Sequence, residues 1–312
     1  MNAASPSNLR ILILGAAGQL GRALQRSFAG AGSITAVARD TVDLANADEL
    51  RACIARIDPH VILNAAAYTA VDRAESEPQL AYAINADAPR VLAEEAHRRN
   101  ALLVHYSTDY VFDGTKQEPW SEEDAPNPLS VYGASKLAGE RAIEAVAGKH
   151  LIFRTSWVYA AEGKNFLLTM LRLGRERDQL SIVDDQFGAP TTATALANAT
   201  RTIVDGVQAG SFGEPKDWSG VYHMTCSGTT SWYGFAEAIF ARAATLLQLK
   251  SPVLKPIPSE AYPTPAKRPS NSVLSNEKLH AQFGVGLAPW QDALDAVFQE
   301  MRAIAMPMPA QK

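Results

Sequence analysis

Short apolar runs alternate with stretches of helical periodicity through the first half of the chain. Residues 9–14 predict a buried strand, broken by glycines at 15–21, and residues 20–29 predict a helix. Residues 34–38 predict a second strand, 48–56 a helix and 60–64 a third strand. Residues 81–99 carry apolar positions at helical spacing, and 102–106 reads as another strand. A helix is expected over 128–146, with Asn127 as its cap and Pro128 in its first turn, followed by a strand at 151–153. Strand and helix in alternation imply an α/β fold of the Rossmann type, a doubly wound parallel sheet covered on both faces.

The pattern changes after about Tyr159, where aromatics, prolines and glycine-rich connections increase. Residues 251–271 hold six prolines and predict a loop rather than a helix or a central strand. The expected division is a dinucleotide-binding unit over 9–159, with 191–206 as a candidate completing segment. A smaller C-terminal substrate-binding α/β domain would then span 160–312.

Composition narrows the class. The chain has 312 residues, 47% hydrophobic and 20% charged, a globular balance. A net charge of -4 gives no reason to expect nucleic acid or an anionic membrane as partner, while a local basic pocket for a phosphorylated ligand stays open. Cys53 and Cys226 make neither a metal spacing nor a disulfide framework, and suit two reduced thiols in a cytoplasmic protein. Residues 1–10 are polar and short of a signal peptide's apolar stretch. No apolar run approaches the roughly 20 residues of a membrane span. The tail after Met301, with Pro307 and Pro309, is expected to fray.

Gly15, Gly18 and Gly21 stand between the first strand and the first helix. Gly15 would allow the tight turn, Gly18 close approach of backbone to a pyrophosphate, and Gly21 close packing of helix on sheet. The helix that follows offers free N–H groups to the anion. Three glycines alone also make an ordinary turn; their position between strand and helix is what points to a dinucleotide. At the end of the second strand an acid would bind the ribose 2′-hydroxyl of NAD and an arginine the 2′-phosphate of NADP. Arg39 there leans toward NADPH, and the adjacent Asp40 keeps NADH open. Asp43 and Leu44 could reach the adenine edge. Asn64, Ala65, Ala66 and Ala67 end the third strand with room for a flat cofactor.

Tyr132 and Lys136 lie four apart on a predicted helix and so share a face. A free phenol, with a pKa near ~10, is a poor proton carrier at neutral pH, and a nearby ammonium would lower it. Tyr132 could then protonate a carbonyl oxygen that receives hydride at its carbon, with Thr108 hydrogen bonding the same oxygen. A Tyr and a Lys at this spacing are common on surface helices; the preceding nucleotide fold and the Ser107-Thr108 strand end raise them to candidates. There is no nucleophile elbow, paired-histidine metal motif or P-loop lysine.

The stretches GAAGQLG, HVILNAAAYTAVDRAESEP, HYSTDYVFDG, NPLSVYGASKLAGE, HLIFRTSWVYA, DDQFGAPT and AYPTPAKRPSNSVL cover roughly residues 9–274. Together they resemble the dTDP-4-dehydrorhamnose reductase family of the extended short-chain dehydrogenase/reductases. The resemblance implies reduction of a 4-keto nucleotide sugar with NADPH or NADH. It places Gly18, Gln19 and Leu20 at the pyrophosphate, Asp43 and Leu44 at the adenine, and Ala67, Tyr68 and Thr69 along the cofactor. It sets Tyr106 near the nicotinamide, makes Tyr132 the proton donor with Lys136 as partner, and has Thr108 and Asp109 hold the sugar. Trp157 would stack beside the sugar, and Gln186 and Arg268 would contact the nucleotide or diphosphate.

Two positions depart from the family pattern. Ala38 stands where members that favour NADH carry Asp. Ala23 stands where some members place a glutamate of a dimer-bridging magnesium site, so no metal is expected, and monomer and homodimer stay open. Two rival readings follow from the same superfamily. An epimerase or 4,6-dehydratase keeps the fold, yet dehydratases carry an acid where Tyr110 stands. A non-catalytic regulatory subunit, like the β subunit of methionine adenosyltransferase, would not need the Thr108, Tyr132 and Lys136 set.

Overall fold

The apolar run after Leu9 becomes the centre of a parallel sheet because its side chains are covered from both sides. In the computed structural model, which describes residues 9–305, β1 (Arg10–Leu14) leads to α1 (Gln19–Ser27), β2 (Ser33–Val37), α2 (Ala47–Ile57) and β3 (Val61–Asn64). Ile11 and Ile13 face one core with α1, while Leu12 and Leu14 face a second core with α2. An unbroken apolar run is what a strand buried on both faces needs.

After β3 come the short helices α3 (Val71–Ala74) and α4 (Pro78–Tyr82), a π-helical turn over Ala83–Asp87, and α5 (Ala88–Arg98). The expected helix over 81–99 is therefore interrupted. Pro89 has no N–H to give the Asn85 carbonyl, so the chain widens there. A Cβ on Gly139 of the facing helix would sit 2.1 Å from that carbonyl, so only glycine fits.

β4 (Leu102–Thr108) runs into a 3-10 turn, Asp109–Val111; α6 (Val131–Val146) and β5 (His150–Thr155) follow. α6 begins later than expected. Ser130 is its cap, accepting from Gly133 N–H at 3.2 Å, whereas the Asn127 amide donates to Asp113 at 2.9 Å. Neither Asn127 nor Pro128 belongs to the helix start.

The second half supplies β6 (Val158–Tyr159), α7 (Phe166–Glu176), β7 (Gln179–Val183), β8 (Phe187–Gly188), β9 (Thr191–Thr192), α8 (Ala193–Gln208) and α9 (Pro215–Trp218). It continues with β10 (Gly220–His223), β11 (Thr230–Ser231), α10 (Trp232–Leu247), β12 (Val253–Ile257), α11 (Glu277–Phe283) and α12 (Trp290–Ala305). The main sheet has the order β10-β5-β4-β3-β1-β2 and is parallel throughout. The expected doubly wound α/β fold is thus present, with its last strand drawn from the second half. α8 packs with α1 in the first core, and α7, α10 and α12 close a third core around Phe235 and Phe298.

The proline-rich segment is not all loop. β12 pairs in parallel with β7, and Pro256 is tolerated because each strand of a two-stranded sheet is an edge. α12 continues through Ala305, so the fraying expected after Met301 does not begin there. The rest of that tail, and residues 1–8, lie outside the described residues. Among the described residues no helix is long and apolar enough to cross a membrane, and Cys53 and Cys226 are buried free thiols.

Candidate active site

The C-terminal ends of parallel strands share one edge of the sheet, and the loops after β1, β3 and β4 meet there. Gly15 has φ +78, and a Cβ on it would lie 2.7 Å from the Ala66 nitrogen. A Cβ on Gly21 would lie 2.1 Å from the Gly15 carbonyl oxygen. Gly18 starts α1 without a side-chain cap, so the first amides of the helix stay available to an anion. These are features that a dinucleotide pyrophosphate requires, and they fit the residues present.

The neighbours of this loop are placed unevenly. The Gln19 side chain accepts from Asn165 at 2.7 Å, and Arg22 and Arg26 both pair with Glu162, which folds residues 162–165 against α1. Leu20 turns its side chain into the core, leaving only its backbone at the loop. Arg39 is exposed just beyond β2, and its guanidinium has no hydrogen-bond or ion-pair partner among the described residues. Asp43 folds back on its own turn, accepting from Ala45 N–H at 3.0 Å, beside a half-buried Leu44.

Beyond β3, Ala66 and Ala67 are half-buried, and Asn85 clamps the Tyr68 backbone. Its oxygen accepts from Tyr68 N–H at 2.8 Å, and its nitrogen donates to the Tyr68 carbonyl at 3.1 Å and to Ser135 at 3.0 Å. The Tyr68 phenol donates to Glu77 at 2.6 Å, and Thr69 is exposed. A π-turn residue therefore fixes the cofactor-side loop to α6.

Thr108, Asp109, Tyr110, Tyr132 and Arg268 form one group. The Thr108 hydroxyl donates to Asp109 at 3.0 Å and accepts from Tyr110 N–H at 3.1 Å. The Tyr110 ring packs edge-on against Tyr132 at 5.6 Å. Burial pushes the Tyr132 phenol up to about 12, with the Thr108 hydroxyl working against it. Burial also raises the Asp109 carboxyl to about 6, and its Oδ2 has no partner. Arg268 pairs with Asp72 at 2.9 Å, leaving Nη1 buried without a partner.

Lys136 does not act on Tyr132 as the spacing suggested. Its ammonium end reaches β4, donating to the Tyr106 carbonyl at 2.6 Å and lying 3.1 Å from His105 Nε2. Burial lowers it to about 8, and the Tyr132 phenol is raised rather than lowered. The long side chain finds a carbonyl nearer than the phenol. Tyr106 also differs from expectation. Its phenol crosses to the other face of the sheet and bonds Thr200 of α8 at 2.7 Å, so only its carbonyl faces α6.

Trp157 and Gln186 share no hydrogen bond or ring contact with the Tyr132 group. Trp157 has φ +47, strained for a bulky residue, and stacks on Trp232 at 3.6 Å and 9°. Gln186 donates to Ser259 at 2.9 Å, on the segment that leads to Arg268. Sequence reasoning missed Trp232, Asn85 and the buried pair of Glu140 with Arg154. The four-residue spacing of Lys136 and Glu140 was the one available signal.

Residues 9–303 match the sequence model of the RmlD substrate binding domain. The chain belongs to this family. A dTDP-4-dehydrorhamnose reductase of Burkholderia thailandensis is 48% identical over 303 residues, covering 94% of this chain and 99% of that protein. The enzyme of the same name from Escherichia coli K12 is 44% identical, with 94% and 98% covered. A crystal structure of dTDP-4-dehydrorhamnose reductase from Bacillus anthracis in complex with NADP superposes with a TM-score of 0.85 at 35% identity, covering 94% and 99% of the two chains. The stretch matched to the RmlD family takes in every residue of the candidate site, from Gly15 to Arg268.

Proposed function

We propose that this protein reduces the C4 keto group of dTDP-4-dehydro-L-rhamnose to give dTDP-L-rhamnose, using NADPH or NADH. The near full-length similarity to dTDP-4-dehydrorhamnose reductases carries the reading. The complex of a relative with NADP supports the same cofactor here. Gly15, Gly18 and the start of α1 would hold the pyrophosphate, with Gln19 and Leu20 contributing backbone. Arg39, free and exposed, would take the 2′-phosphate and favours NADPH. When bound, the reduced nicotinamide supplies hydride.

The chain's own groups do the rest. Tyr132, a protonated phenol, would donate its proton to the carbonyl oxygen, while the Thr108 hydroxyl hydrogen bonds that oxygen and orients it. Asp109 would hold a sugar hydroxyl with its unpartnered oxygen. Lys136, one helical turn from Tyr132, would bind the cofactor ribose. Trp157, supported by Trp232, would stack beside the sugar. Arg268 would meet the diphosphate with its unpartnered nitrogen, and Gln186 the nucleotide. Tyr110, packed on Tyr132, leaves no acid at the position a dehydratase uses. The cofactor unit would be 9–159 completed by 191–206, supported by the packing of α8 on α1. Such an enzyme would act in the cytoplasm.

The test is oxidation of NADPH, followed at its near-ultraviolet absorbance, with dTDP-4-dehydro-L-rhamnose made in place. Sugar-dependent oxidation that is lost in Tyr132→Phe is expected. Tight cofactor binding without any oxidation would overturn the reading in favour of a regulatory subunit.

A further inference from the structure

Asp72 and Arg268 are 196 residues apart in sequence and meet across the site. Asp72 belongs to α3, whose first amide, on Val71, donates to the Thr69 carbonyl at 2.9 Å. α3 therefore continues directly from the cofactor-side loop. Asp72 Oδ2 accepts from Arg268 Nη2 at 2.9 Å, and Oδ1 accepts from the Ala266 N–H at 3.3 Å. One carboxylate holds both the guanidinium and the backbone two residues before it.

The backbone around Arg268 has further anchors. Ala266 is buried, and the Ser270 hydroxyl donates to the Gly114 carbonyl at 2.8 Å. A Cβ on Gly114 would lie 2.7 Å from Pro269 Cα, so the loop after β4 is pressed against this segment. What the ion pair adds is direction. A guanidinium is a planar fork, so fixing Nη2 fixes where Nη1 points. Nη1 is buried and has no partner. Burial raises the Tyr110 phenol and the charge of Asp109 adds to this, while Arg268 opposes both, which sets the guanidinium beside Tyr110. Tyr110 in turn packs against Tyr132.

The neighbouring acids have other partners. Glu75 accepts from the Val131 N–H at 2.8 Å, and Glu77 binds Arg73 and the Tyr68 phenol. We propose that Asp72 is a positioning residue for the sugar nucleotide, acting through Arg268 by aiming Nη1 at the diphosphate. The proposal rests on the reading of Arg268 as a diphosphate contact. Its consequence is that the arginine, carried by the second half of the chain, is set in place by the cofactor side. Without Asp72 the positive charge remains, but its long side chain must be ordered anew at each binding event.

The experiment is a double-mutant cycle of Asp72→Ala and Arg268→Ala in the full chain. It reads kcat and KM for dTDP-4-dehydro-L-rhamnose, KM for NADPH, and the affinity for dTDP by calorimetry. Arg268→Ala should raise the sugar-nucleotide KM and weaken dTDP binding roughly ten- to hundredfold, the scale of a lost charge-assisted hydrogen bond. Asp72→Ala should raise the same two by about fivefold or more, with kcat and the NADPH KM within about twofold. Added to Arg268→Ala it should change them by less than about twofold, because its partner is already gone. Asp72→Asn removes the charge and keeps the shape, and gives the same reading where Asp72→Ala fails to fold. Effects that multiply in the double variant, or that fall equally on kcat and NADPH, overturn the proposal in favour of a structural role. Unchanged or tighter dTDP binding in the Asp72 variants overturns it too, as does an Arg268→Ala protein that binds dTDP normally. An unmodified protein that binds dTDP but oxidises no NADPH defeats the reductase reading, and the dTDP titrations still decide on Asp72. No dTDP binding at all overturns both.

Discussion

Arg154 and Glu140 form a buried ion pair between β5 and α6, with three nitrogen–oxygen contacts of 2.6 to 3.2 Å. Both side chains are at most 5% exposed. The pair anchors the helix that carries Tyr132 and Lys136 to the sheet. Removing one partner leaves the other charge buried and alone, which costs about 3–5 kcal/mol. Glu140→Gln should therefore lower the unfolding free energy by about that amount, read by chemical denaturation. A loss under about 1 kcal/mol would mean that water reaches Arg154.

Tyr132→Phe removes the proposed proton and leaves the ring in its packing against Tyr110. Turnover should fall about 10²- to 10⁴-fold. Cofactor affinity, measured by fluorescence titration, should stay within about twofold of the unmodified protein. Retained turnover would assign the proton to another group.

Arg39→Ala tests the cofactor preference. A charge-assisted hydrogen bond contributes about 1.5–3 kcal/mol, so the KM for NADPH should rise roughly ten- to hundredfold while that for NADH barely moves. Equal changes for both cofactors would deny Arg39 a contact with the 2′-phosphate.

Asp109 makes a prediction about pH. Its folded carboxyl holds a proton up to about 6, against an ordinary 3.8, because it is buried. A raised folded pKa adds stability that is fully present below the ordinary value and is lost as pH rises through about 6. The difference is worth up to about 3 kcal/mol. Asp109→Asn lacks this dependence, so it should gain on the unmodified protein in thermal or denaturant stability between about pH 4 and about pH 8. Parallel stability curves over that interval would contradict the raised value.

Gly188→Ala probes the aromatic stack. A Cβ at Gly188 would lie 2.6 Å from Trp157 Cε2, too close for the ring to stay where it is. The Trp157–Trp232 stack should open, visible in near-ultraviolet circular dichroism. Loss of about 1 kcal/mol of stacking would raise the KM for the sugar nucleotide roughly fivefold. An unchanged spectrum with an unchanged KM would detach Trp157 from the sugar.

Elements whose own side chains decide their structure were legible in the sequence. β1 and β3 are continuous apolar runs, and Gly15 to Gly21 sit where the turn demands them. What was not legible depends on contacts distant along the chain. β10 is a four-residue strand whose place in the sheet comes only from pairing with β5. The π-turn needed Gly139 as well as Pro89. At the site, spacing placed Tyr132 and Lys136 on one face, but the choice Lys136 makes among nearby acceptors depends on the Tyr106 carbonyl and His105. The Tyr106 side chain went to the opposite face because alternation along β4 sends it there.

The late arrival of β10 sets an order for synthesis. Until His223 has left the ribosome, β5 is an open edge, its backbone lacking the pairing that β10 brings and Ile152 lacking Val221 of β10 in its core. The glycine turn and all three catalytic candidates, Thr108, Tyr132 and Lys136, are translated long before the sheet that aligns them can close. A nascent chain halted at residue 159 is therefore expected to depend on chaperones and to bind no dinucleotide, whereas one released beyond 223 completes its own edge.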